Sequence, residues 1–265
     1  MRVLSLGAGV QSTTLAFMMA KGELEPADVA IFADTGAEPN HVYEYLDWLE
    51  PQLPFPVRRV MHKEGLLENI RASISGGRFA GAPFFTKSDD GSVGMLRRQC
   101  TREFKLEPII QGIRAELGMK KGERYKGDPV DQVIGISWDE RQRMADPMTP
   151  WLRNLYPLVE MRVDRKDCFR WLKNYGVDRM PKKSACTFCP YHDNRRWREM
   201  KQKEPDSWSQ AVEIDQMIRG GVRGTKNPLY LHRSCKPLDE VDFDAQHEFA
   251  WMEDMHEECE GICGL

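Results

Sequence analysis

The chain has 265 residues, 41% hydrophobic and 30% charged, with a formal net charge of −3. That length can bury a full hydrophobic core, and the composition excludes a disordered or fibrous chain. No run approaches the roughly 18–20 apolar residues of a membrane span, and residue 2 onward reads as a strand instead of a secretion leader, so the sequence predicts a cytoplasmic protein with no membrane partner.

The elements follow in chain order. Arg2 to Leu6 reads as a strand, Gly7-Ala8-Gly9 as a turn, and Gln11 to Lys21 as a helix. Val29 to Ala33 is a second strand ending at Asp34-Thr35-Gly36, followed by Val42, Tyr45, Leu46 and Leu49 at helical spacing. Successive β-α units predict an α/β fold, a twisted parallel sheet with helices on both faces. Val57 to Met61 is a third strand, and Leu66 to Ile74 a helix. Ser75 to Met95 lacks a period and reads as a long mobile loop, a lid candidate. A helix at Arg102 to Leu117, a strand at Gln132 to Ile136, a loop at Ser137 to Met148, an extended piece at Asn154 to Leu158 and a helix at Asp164 to Tyr175 complete residues 1–178, the predicted α/β part. Residues 179–265 read as an irregular, cysteine-pinned part with an acidic tail.

The turn after the first strand carries the first chemistry. Ser5-Leu6-Gly7-Ala8-Gly9-Val10-Gln11-Ser12-Thr13 lies between a strand end and a helix start, where backbone amides, the helix dipole and the Ser12 and Thr13 hydroxyls all favour a phosphate. It lacks the Lys of a Walker A loop and the third Gly of a dinucleotide fingerprint. It resembles the PP-loop of adenine nucleotide α-hydrolases, in the Gln-containing variant of the PAPS reductases, at Gly9, Gln11 and Ser12. Asp34-Thr35-Gly36 is similar to the same family's second-strand turn. Cys100 to Pro108, Gly135 to Arg141 and Tyr156-Pro157-Leu158 extend the resemblance, with Ser137 standing where the family has Arg.

The resemblance implies a HUP/Rossmann-like fold and an adenine nucleotide, ATP or the sulfonucleotides APS and PAPS. Ser5, Gly7, Gly9, Gln11 and Ser12 would then hold phosphates, with Ala8 and Thr13 in the same loop and Gly135 in the facing one. Asp34, Thr35 and Gly36 would approach the sugar or base, and Arg102, Lys105 and Arg141 would neutralise phosphate charge. Gln11, Ser12 and Asp34 are the candidate catalytic residues of the loop and turn.

Seven cysteines without an export signal argue for ligation or redox chemistry instead of disulfides. Cys186 and Cys189 form a C-x-x-C that needs two more ligands, and Cys100 and Cys235 are the candidates. The resemblance implies a [4Fe–4S] cluster; zinc is the alternative for four thiolates. The family's second cysteine beside Cys100 is Gln99 here. Cys168, within an amphipathic helix, reads as a buried structural thiol. Cys259 and Cys263 resemble the Glu-Cys-Gly-Leu end of the reductases, split by an insertion, and would be a nucleophile and its resolving partner or incidental tail residues.

Charge is unevenly placed. Residues 1–238 hold 38 basic and 31 acidic residues, net +7, while ten acidic residues lie between Asp239 and Glu260. That basic body suits a polyanion, or the acidic end simply balances it. Three functions compete. The first is an ATP pyrophosphatase using Mg²⁺ that activates a substrate, nucleic acid included, for sulfur transfer. The second is a sulfonucleotide reductase served by a thioredoxin-like reductant. The third is a non-catalytic zinc-stabilised nucleic-acid module, supported by Trp197, Trp208 and Tyr230 among basic residues. Oligomerisation is compatible with each.

Overall fold

A computed structural model describes residues 1–79, 81–120, 122–225 and 227–244. Its frame is a five-stranded parallel sheet ordered β3-β2-β1-β6-β7, with β1 at Arg2–Ser5, β2 at Val29–Asp34, β3 at Val57–Met61, β6 at Val130–Ile134 and β7 at Leu152–Leu155. Alternate residues of the buried strands go to opposite faces, as the pleat requires. Leu4, Ala30, Phe32 and Val133 pack beneath α1 (Val10–Ala20), α2 (Asn40–Leu49) and α6 (Arg165–Tyr175). Val3, Val29, Ile31 and Ala33 pack with Ile109 and Ile113 of α4 (Glu107–Glu116) on the other. Covered on both faces, such strands carry continuous apolar runs.

Local sequence explains the element ends. Asp164 and Asp167 form a capping box at the start of α6, and Gly176, at φ 84°, closes it. α1 is buried all round between sheet and α6, which is why its sequence shows so little amphipathic pattern. No helix among the described residues is long and apolar enough to cross a membrane.

Several expectations are corrected beyond residue 75. The predicted loop Ser75 to Met95 contains β4 (Phe85–Lys87) and β5 (Val93–Met95), an antiparallel pair extended by β8 (Leu229–Tyr230) into a second sheet. Three-residue strands interrupted by Gly94 carry no readable period. The extended piece at Asn154 to Leu158 is divided between β7 and the short helix α5 (Pro157–Glu160). After residue 181 the chain builds two substantial helices, α7 (Asn194–Lys203) and α8 (Pro205–Met217). Their apolar faces share a core with Leu66 and Ile70 of α3 (Gly65–Ile74) and with Phe84 and Phe104. Trp197 lies wholly in that core and Trp208 packs at its edge, so these aromatics are not displayed for nucleic-acid bases. Asp215 is buried in α8, and its carboxylate accepts the amides of Leu231 at 2.8 Å and Leu238 at 2.9 Å, tying the segment after β8 to the helix.

Candidate functional site

The strand order reverses direction between β1 and β6, and in open parallel sheets that switch point, at the carboxyl ends of the strands, is where ligands bind. From β1 the chain turns through Gly7-Ala8-Gly9 into α1. Ala8 adopts φ 57°, a left-handed conformation unusual for a residue with a Cβ. Gly9 caps α1 without any side chain accepting from its first amides, and the first turn holds no acidic residue. Among the described residues the first turn of the helix thus has neither a side-chain cap nor an acid of its own to offset its positive end. Gly135, just past β6, faces it so closely that a Cβ there would stand 2.8 Å from Ser12 N and 3.1 Å from Ser12 Cα.

The loop is closed from inside. Ser12 Oγ accepts the Gly7 amide at 3.1 Å and donates to the Gly9 carbonyl at 3.3 Å. Gln11 is buried, and its Nε2 donates to Glu140 Oε2 at 3.0 Å with Ser137 Oγ 3.5 Å away. Glu140 in turn pairs with buried Arg143 at 2.8 Å. Gln11 Oε1 is buried with no hydrogen-bond partner, an acceptor that a bound ligand donor or cation would satisfy. Of residues 7–14 only Gly7 is half-buried. Ser5 Oγ accepts from Gln132 at 2.8 Å, and Thr13 is buried within α1.

The turn after β2 is built differently. Asp34 Oδ1 accepts the Gly36 amide at 2.7 Å and the Tyr43 hydroxyl at 2.8 Å, and Gly36 takes φ 71°. Burial, then the Asp34 carboxylate, pushes the Tyr43 hydroxyl above the ordinary tyrosine range. Thr35 Oγ1 lies 3.2 Å from Cys186 Sγ and donates to Glu38 Oε1 at 3.3 Å. Glu38 is fully enclosed and pairs with buried Lys105 at 3.3 Å. Arg102 is largely exposed beside Glu107, 3.4 Å away. Arg141 stays on the rim of the 137–143 segment, its guanidinium over the Trp138 ring.

Cys100, Cys186 and Cys189 line one narrow cleft of about 30 Å³, with Arg98, Lys105 and Tyr191 on its walls. The C-x-x-C turn is docked on the β2 turn through the Thr187 amide, which donates to the Ala37 carbonyl at 2.8 Å. His192 Nε2 lies 2.9 Å from the Cys186 carbonyl, and burial holds the imidazole well below its usual pKa. Burial, reinforced by Glu38, raises the Cys186 thiol well above the ordinary range. Cys235 does not line the cleft: the pairing of β8 with β4 carries it toward Lys87 and Arg219. Among the described residues no three His, Cys, Asp or Glu side chains converge as metal ligands. This donor set does not fit the implied four-thiolate cluster, and no chemical step is assigned to one. Cys168 is buried in the core beneath α6, and Cys259 and Cys263 lie outside the described residues.

Glu140 falls within the Gly135 to Arg141 segment, but the sequence marks neither it nor Glu38 and Arg143 as site residues. Glu38, four residues past Asp34, was the readable signal, since a carboxylate beside a strand-end turn needs a partner when buried. No protein-family model and no curated protein matches the chain. Among solved structures it is similar to phosphoadenylyl-sulfate (PAPS) reductase from Candida auris in its phosphate complex, at 15% identity and a TM-score of 0.43, over 66% of this chain and 73% of that one. The α/β fold itself rests on the parallel strand order and on the helices covering both faces of the sheet.

Proposed function

We propose that the chain is a PP-loop enzyme that takes the phosphates of ATP or a related adenine nucleotide at the amino end of α1 and exposes the α-phosphate to attack. The observation that carries this reading is the uncapped, acid-free start of α1 at the switch point, held in backbone contact with Gly135. Free amides and the helix dipole stabilise phosphate charge there, and they do so most where charge builds up in the transition state. A substrate oxygen attacks the α-phosphorus, pyrophosphate leaves, and sulfur or an amine then displaces the adenylate; Mg²⁺, when bound, would offset the charge of the leaving pyrophosphate. Gln11 and Ser12, released from Glu140 and Gly7, would contact the phosphates. Asp34 and its turn would approach the sugar, and Arg141 would close from the rim.

A second reading is favoured by one contact, the 3.2 Å approach of Cys186 to Thr35 that sets a thiol-lined cleft beside the β2 turn. In it a cysteine thiolate of the tail, Cys259 or Cys263, attacks the sulfur of a sulfonucleotide and expels the nucleotide. A second thiol then releases sulfite and leaves a disulfide, which a thioredoxin-like protein reduces. Incubating the anaerobically purified protein with ATP, and separately with APS and PAPS, decides between them. Pyrophosphate release supports the first reading and sulfite release the second; neither product appearing overturns both.

A further inference from the structure

A second cleft opens where the starts of α2, α6 and α7 meet residues 181–183. It holds about 490 Å³, within the roughly 300–1,000 Å³ of small-molecule pockets, and its walls are charged where such pockets are apolar. Lys182, Lys183 and Arg195 line it, and none of the three makes an ion pair among the described residues. The acids on its walls are engaged: Asp193 caps α7 through the Arg196 amide at 2.5 Å, and Glu199 faces Lys203 at 3.8 Å. Arg196 is matched by Glu204 through two contacts at 2.7 and 2.8 Å. The positive charge of Lys182, Lys183 and Arg195 is thus not cancelled by folding. On the same wall Phe169 is 37% exposed. A charged groove beside an exposed ring is the combination that holds a phosphate backbone and stacks a base.

We infer that this cleft binds single-stranded nucleic acid, with phosphodiesters on Lys182, Lys183 and Arg195 and a base against Phe169. The inference goes beyond the nucleotide site and uses none of its residues. The test is fluorescence anisotropy with labelled oligothymidylate and oligouridylate between 50 and 200 mM salt. Both arms are expected to bind with steep salt dependence. The triple variant Lys182→Gln, Lys183→Gln, Arg195→Gln is expected to bind at least about tenfold more weakly, with a salt slope shallower by about 2, at about 0.7 for each lost phosphate contact. Phe169→Ala is expected to weaken binding about fivefold and leave the slope unchanged. Wild-type affinity in the triple variant overturns the inference, as does displacement of the oligonucleotide by inorganic triphosphate at equal phosphate concentration. Unchanged melting temperatures show that the variants fold. Adenine-nucleotide affinity measured on the same proteins keeps the two claims apart, because its absence alongside intact oligonucleotide binding sinks only the proposed function.

Discussion

Gly135→Ala tests the contact on which the phosphate cradle depends. The new Cβ would sit 2.8 Å from Ser12 N, 3.1 Å from Ser12 Cα and 3.2 Å from Gln11 C, all backbone atoms that cannot rotate away. Restoring an ordinary separation of about 3.4 Å or more forces α1 off β6 by roughly half an ångström, and overpacking of this kind costs about 1–3 kcal/mol. For a chain of this size that lowers the melting temperature by roughly 2–12 °C. The same shift misaligns the amides of Gly9 to Ser12, so nucleotide affinity is expected to fall about tenfold, a further 1.4 kcal/mol. Gly220→Ala is the control, since its Cβ meets nothing within 4 Å. Differential scanning fluorimetry and isothermal titration with ATP read both effects. If Gly135→Ala melts and binds as the wild type does, the close approach of β6 to the loop is not what shapes the site.

Three other perturbations follow from the geometry. Glu38→Gln removes the carboxylate that faces the buried Lys105 ammonium and is expected to cost roughly 3–5 kcal/mol in urea unfolding, with much of it recovered when Lys105→Met is added; a loss under about 1 kcal/mol contradicts the buried pair. His232 accepts the Ser234 amide on Nδ1, with Nε2 2.9 Å from Asn194, and burial lowers its pKa from 6.5 to about 4. The unfolded chain then binds the extra proton between those values, so this contribution is complete above about pH 6.5 and falls by about 3 kcal/mol toward pH 4. A wild-type pH slope in His232→Gln contradicts it. Iron and zinc are expected at background after anaerobic purification, since Cys235 is held apart from Cys100, Cys186 and Cys189; stoichiometric metal that Cys235→Ser abolishes contradicts that separation.

What the sequence discloses follows the range of the interactions. β1, its glycine turn and α1 are read from adjacent residues, and β3 falls at Val57–Met61 in both readings, because alternation and turn chemistry are local signals. The second sheet is not legible, since β8 and β4 are each two or three residues long and find one another across the length of the chain. Cys235 goes wrong for the same reason: as spacing it is a fourth ligand, but the pairing of β8 decides its position. Lys105 reads as a phosphate contact because its sequence neighbours suggest one, whereas its partner Glu38 comes from a different strand turn. Nor does the glycine pattern reveal that Gln11 and Ser12 satisfy each other's surroundings through Glu140 and Gly7, a closure made by side chains 126 to 129 residues apart in the case of Gln11.

The central claim is that the start of α1 receives the phosphates of an adenine nucleotide. A crystal structure with a non-hydrolysable ATP analogue tests it directly. Phosphate density against the amides of Gly9 to Ser12, with Gln11 withdrawn from Glu140, is the predicted result. A loop still closed by Ser12 and Gln11, with the nucleotide bound elsewhere or not at all, contradicts the account.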